Sequence, residues 1–110
     1  MIKAIRPAKL SIDASLAKAF RLVGEANRLK IMCVIFEGGR VCVSDIATRL
    51  GLSVAIVSHH LKAMAAAGLL NPEKEGKRTC YMLSDNDLTS DLKNFVCKHL
   101  KINKNNHEKK

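Results

Sequence analysis

The sequence predicts an α+β chain, mostly α: five helices, with one β-hairpin between the fourth and the fifth. Three observations predict it. The 110 residues are 47% hydrophobic but only 4% aromatic with no Trp, which favours helices packed through Leu, Ile, Val and Ala. Apolar residues recur at helical spacing over most of the chain. The period changes between Leu69 and Leu83, where Pro72 and the polar turn Lys74-Glu75-Gly76-Lys77 separate two extended arms.

Residues 1–10 read as a loose basic arm, interrupted by Pro7. Ser11 and Asp13 can cap a first helix of about Ala14–Val23, with Leu16, Phe20 and Val23 on one face. A second helix begins near Asn27 and runs to Gly38-Gly39. Its apolar run from Ile31 to Phe36 predicts central burial. Arg40-Val41-Cys42 is short and extended, and places Cys42 at or beside the N-cap of a third helix. A tight turn at Gly51 leads to a fourth helix, capped by Ser53 and stopped at Gly68. After the hairpin, Ser84 with Asp87 resembles a capping box for a fifth helix of about Asp85–Lys101. The domain thus spans residues 11–101, and 102–110 form a polar basic tail expected to be disordered.

The charge narrows the function. Nineteen Lys and Arg face ten Asp and Glu, a net +9, which fits a polyanionic partner. No apolar stretch has the length of a membrane span, and residues 1–10 lack a signal-peptide core, so a cytoplasmic location is expected. None of the four cysteines forms C-x-x-C, so neither a disulfide framework nor a zinc knuckle is expected. Cys97 and His99 are two apart on a helix and cannot act as nucleophile and base. No phosphate-binding glycine loop or H-x-x-x-H is present, so no enzyme is predicted.

On a wheel of 100° per residue, Val54, Val57, Leu61, Met64 and Ala65 of the fourth helix face inward. Ala55, Ser58, His59, Lys62 and Ala66 face outward. That outward face has small, hydroxyl, imidazole and ammonium groups and no carboxylate. It suits base edges and phosphates in a groove of double-stranded DNA, with an ordinary solvated face as the plain alternative. His60 turns about 100° from His59 and reads as a packing or hydrogen-bonding residue, so the pair is not a metal site. Lys74, Lys77 and Arg78 make the hairpin tip basic, although Glu73 and Glu75 dilute it. The predicted DNA-binding set is Ser53, Ala55, Ser58, His59, Lys62, Lys74, Lys77 and Arg78. Cys80 and Tyr81 are neighbours on a strand. Tyr81 has more surface to bury, so Cys80 is expected to face away from the core, with no role.

The segments NRLKIM, RVCVSDIATRLGLSVAIVSHHLKAMAAAGLL and KEGKRTCYMLSD resemble the ArsR/SmtB family of winged-helix repressors, over about Ala14 to Leu100. The resemblance implies a winged helix-turn-helix homodimer joined through its first and last helices. It would repress an operon at a pseudo-palindromic operator, with recognition helices about 34–36 Å apart, until an effector releases it. Leu88, Leu92, Phe95, Val96 and His99, on one face of the fifth helix, would then meet the partner.

The resemblance implies three sensor sites. The thiophilic-metal pattern for arsenic, cadmium or lead is C-V-C-D, and this chain has Cys42-Val43-Ser44-Asp45, with a hydroxyl for the second thiol. Cys42 at a helix N-terminus is either a reactive thiolate or a weak cap. The zinc-type site on the last helix would draw on Asp85, Asp87 and His99, with the expected early histidine replaced by aspartate. The dithiol, persulfide-sensing arrangement matches Cys33 in the second helix. Cys97 lies about one turn, roughly 5.4 Å, before the expected partner position. Cys33 alternatively packs as a small hydrophobe. A regulator with no sensor of its own also remains open. No cofactor is needed for folding on this reading.

Overall fold

Several helix boundaries are set by local capping devices. The computed structural model describes residues 14–100, so the predicted arm, its Ser11 and Asp13 cap and the tail lie outside the described residues. Helix α1 (Ala14–Val23) is followed by α2 (Ala26–Gly38), strand β1 (Arg40–Cys42), α3 (Val43–Leu50) and α4 (Val54–Ala66). The hairpin β2 (Leu70–Glu75) and β3 (Arg78–Leu83) leads to α5 (Asp87–His99). Glu25 caps α2 by accepting the Arg28 backbone N–H at 3.0 Å. Gly51 ends α3 in the left-handed region at φ 67°, where a side chain would be strained. Ser53 Oγ accepts the Ile56 N–H at 3.0 Å and starts α4.

The start of α5 differs from the sequence reading. Asn86 is the N-cap: its side chain accepts from the Thr89 N–H, and Thr89 reciprocates to the Asn86 backbone. Ser84 does not cap with Asp87. Its backbone N–H is bound to Leu69 O at 3.0 Å and its Oγ donates to Asn71 Oδ1 at 3.4 Å, so its hydroxyl is engaged by the hairpin instead.

The three strands form one antiparallel sheet in the order β1-β3-β2. Pro72 stands on the edge strand β2, which tolerates its missing N–H. The expectation that Cys80 faces away from the core is overturned: Cys80 is 0% exposed and Tyr81 4%. β3 is the central strand, so partners flank it on both sides. Cys80 lies opposite Cys42 of β1 and Glu73 of β2. Tyr81 joins the helical core, while Cys80 is bonded to Cys42.

The core is centred on α2 and α4. Ile31, Met32 and Ile35 meet Ile46 of α3 and Val57, Leu61 and Met64 of α4, all essentially sealed from water. Within the apolar run of α2, Cys33 and Phe36 are only half-buried. On α1 Val23 and Ala19 are buried, but Phe20 remains 57% exposed and Leu16 is exposed beside it. On α5 Leu92 and Thr89 are buried, while Phe95 is 61% exposed. The outermost helices therefore each carry an apolar group that the other described residues do not cover.

Candidate nucleic-acid interface

Helix α4 divides sharply between adjacent residues. Val57, Leu61 and Met64 pack inward, while Ala55, His59, Lys62 and Ala66 are exposed and Ser58 is half-buried. Val54 departs from the wheel: it is 53% exposed, because the first turn of α4 projects beyond the core. It lines a cleft of about 390 Å³ with Ser58 and Lys62 of α4, Lys77 and Arg78 of the hairpin, and Ser44 of α3. Helix and wing thus present hydroxyl and cationic groups around one concavity. Ser53 is exposed, with its Oγ engaged in the cap.

His60 is turned inside. Its Nδ1 accepts from Arg28 Nε at 3.3 Å, and a second Arg28 nitrogen donates to Leu22 O at 3.2 Å. The ring links α4 to α2 and to the end of α1, as the packing reading of His60 requires. Burial lowers its pKa from the ordinary 6.5, and the neighbouring Arg28 charge adds to this. The folded protein therefore favours neutral His60. Its unfolded chain takes up a proton first as pH falls through about 6.5, so stability is present above that pH and is lost below it. Thermal unfolding from pH 8 to 5 should show this loss. His60→Gln keeps an acceptor for Arg28 without a titrating group, and should flatten the slope.

The wing's charges are ordered by ion pairs. Arg40 binds Glu73 at 2.6 Å and Glu75 at 3.1 Å, so both acids expected to dilute the wing are neutralised at the sheet edge. Arg78 is tied to the start of α3: its guanidinium meets Asp45 at 2.8 Å and Ser44 Oγ at 3.4 Å. Lys74 and Lys77 are exposed, and no ion pair involving either is found among the described residues.

The structure separates the sensor candidates. Cys33 is half-buried and Cys97 exposed; both thiols are free and line a groove of about 650 Å³ along α2 that includes Leu100. Burial raises the Cys33 pKa, and the neighbouring Cys97 and Glu37 charges raise it further. Both effects disfavour the Cys33 thiolate. Cys42 occupies the N-cap of α3 but makes no side-chain cap hydrogen bond. It is joined to Cys80, 38 residues away, in a disulfide, which corrects the expectation that no such pairing forms. The pairing was not foreseen because it depends on β1 docking against β3. Asp85, Asp87 and His99 are exposed, and His99 stacks on Phe95 at 4.5 Å between ring centres. Asp87 and His99 lie at opposite ends of α5, about 18 Å apart along the axis at 1.5 Å per residue, so one chain cannot bring them together. Among the described residues, the group of three with metal-ligand spacing is instead Cys42, Glu75 and Cys80.

Residues 25–71 match the profile of the family described as bacterial regulatory protein, arsR family. An uncharacterized HTH-type transcriptional regulator, MJ1325 of Methanocaldococcus jannaschii, is 31% identical over 77 residues, covering 70% of this chain and 86% of that one. The chain belongs to the ArsR family. The family is one of regulatory proteins, not enzymes. The cadmium resistance transcriptional regulatory protein CadC of Listeria innocua is 34% identical over 71 residues, 64% of this chain. This chain spans 60% of that relative's length. The solution structure of Mb0332 from Mycobacterium bovis, described as a homodimeric winged helix-turn-helix DNA-binding domain and a possible ArsR-family regulator, superposes with a TM-score of 0.70 at 23% identity. The match covers 87% of each chain and identifies the fold as a winged helix-turn-helix. No helix among the described residues is long and apolar enough to cross a membrane.

Proposed function

We propose that this ArsR-family chain is a cytoplasmic transcriptional repressor that binds a pseudo-palindromic operator in double-stranded DNA as a homodimer and is released by an effector sensed at cysteines. The observation that carries the DNA reading is the cleft shared by α4 and the wing. Ser58, Lys62, Lys77 and Arg78 converge there in a chain of net charge +9. His59 and Ala55 extend that surface along the exposed side of α4, and Ser53 and Lys74 are exposed as well. Lysines at this edge would neutralise phosphates, while Ser58 and His59 would reach base edges.

The homodimer reading is supported by the uncovered Phe20 and Leu16 on α1 and Phe95 on α5. A two-fold axis through these helices would set two α4 helices one DNA turn apart. The homodimeric description of Mb0332 is consistent with this. The effector reading is supported by Cys33 and Cys97 sharing one groove, and by the relative described as a cadmium resistance regulator. A dithiol or persulfide switch at Cys33 and Cys97 and a thiophilic metal at cysteine both fit that chemistry.

The test uses duplexes selected from a random pool by the reduced protein. Binding should reach the nanomolar range and fall steeply with salt. A persulfide donor should then weaken binding to the parent and leave a Cys33→Ser/Cys97→Ser variant bound. Equal release of both would exclude that pair as the sensor. Failure to select any duplex would exclude the repressor reading.

A further inference from the structure

We propose that the reduced protein holds a thiophilic divalent cation between Cys42, Cys80 and Glu75, at the root of the wing. The three ligand atoms lie within 4.8 Å of one another. Cys80 Sγ is 3.7 Å from Glu75 Oε1. A tetrahedral ion with metal–sulfur bonds of about 2.3 Å and a metal–oxygen bond of about 2.1 Å needs sulfur and oxygen roughly 3.6 Å apart, so this edge of the site is already spaced for it. Two thiolates select a soft or borderline ion over magnesium or calcium.

The surroundings suit such an ion. Both cysteines are buried, Cys42 at 6% and Cys80 at 0%, whereas Glu75 is exposed and offers an entry side. Arg40 lies 3.1 Å from the same Glu75 oxygen. Two thiolates, one carboxylate and a divalent cation sum to one negative charge, which the guanidinium balances. Ser44 cannot supply a second thiolate beside Cys42; the sheet register supplies one from Cys80 instead.

The disulfide and the ion are alternatives. A dithiol reductant transfers two electrons and two protons to the Cys42–Cys80 bond, leaving two thiols and an oxidised, cyclic reductant. The cation then displaces both thiol protons, while Glu75 binds as the carboxylate it already is. The three ligands come from the residue preceding α3 and from both strands of the wing. A bound ion therefore fastens the wing to the start of the helix-turn-helix, beside the cleft that holds Lys62 and Lys77. The site itself stands on this geometry alone; its effect on DNA rests on the repressor reading.

The test measures Cd(II) binding by the full chain in a Cys33→Ser/Cys97→Ser background, which leaves only this thiol pair. After reduction and anaerobic desalting, one Cd(II) per chain should bind with a thiolate-to-metal absorption, and the oxidised protein should bind none. Adding Cys80→Ser should weaken binding beyond the roughly 10–100-fold typical of losing a supporting group. Glu75→Gln, at an exposed position, should weaken it without loss of fold. Equal affinity in the reduced and oxidised forms, or no change on Cys80→Ser, overturns the site. DNA binding is read in parallel. Cd(II) bound here without any change in DNA affinity supports the site and removes only its regulatory role. Release of DNA by Cd(II) that persists after Cys80→Ser removes the regulatory role of this site and leaves the repressor reading intact.

Discussion

Lys62→Glu should weaken operator binding by about two orders of magnitude at 0.1 M salt. Each lysine–phosphate contact contributes a slope of about 0.9 in log affinity against log salt, or nearly tenfold at 0.1 M relative to 1 M. A homodimer loses two such contacts, and the introduced carboxylates add repulsion. Lys62 is exposed at the rim of the cleft, so the thermal unfolding midpoint should stay close to that of the parent. Binding titrations by fluorescence anisotropy, paired with circular dichroism melts, check both halves. A loss of affinity accompanied by a lowered midpoint would point to folding instead of contact.

The neighbouring residue should behave in the opposite way. Leu61 is 0% exposed and packs in the core with Val57 and Met64. Leu61→Ala removes buried methyl groups and leaves a cavity, a change that costs about 2–5 kcal/mol in well-packed cores. For a domain of this size that is a large share of the roughly 5–15 kcal/mol that usually separates folded from unfolded chains. Urea unfolding should show the midpoint falling with little change in slope. Any loss of DNA binding should follow the folded fraction. One helical step thus divides α4 between a buried face and the exposed face proposed to meet DNA.

That division was legible in the sequence because α4 is regular: a 100° step separates Leu61 from Lys62 and His59 from His60. The positions that escaped the reading sit where regularity stops. Val54 is in the first turn, which overhangs the core, so its wheel angle does not decide its burial. At α5, Ser84 and Asn86 are both cap residues by type, but Ser84 is held to the hairpin through Leu69 and Asn71 while Asn86 pairs with Thr89. Cys80 looked outward because alternation assumes one covered face. It is buried because β1 pairs with β3 and brings Cys42 onto it, a contact 38 residues apart that no local pattern records. The same tertiary arrangement brings Glu75, a charge of the hairpin by sequence, to 3.7 Å from Cys80 Sγ.

The outer helices are legible as amphipathic stripes, yet the described residues bury each stripe only in part. Phe20 and Phe95 stay exposed while Val23 and Leu92 anchor their helices. An apolar stripe predicts burial without saying whose surface provides it. Two-fold association of the chain is the reading proposed here, and it explains why a core sufficient to hold α2, α3 and α4 leaves these residues uncovered.

Backbone amide resonances of the reduced 110-residue chain, followed as selected duplex DNA is added, locate the DNA interface most directly. Shifts should concentrate at Ser53–Ala66 and at Lys74–Arg78, with Ser58, His59 and Lys62 among the largest, and the groove holding Cys33 and Cys97 should respond weakly. Shifts centred on that groove, with α4 and the wing unchanged, would contradict the proposed interface.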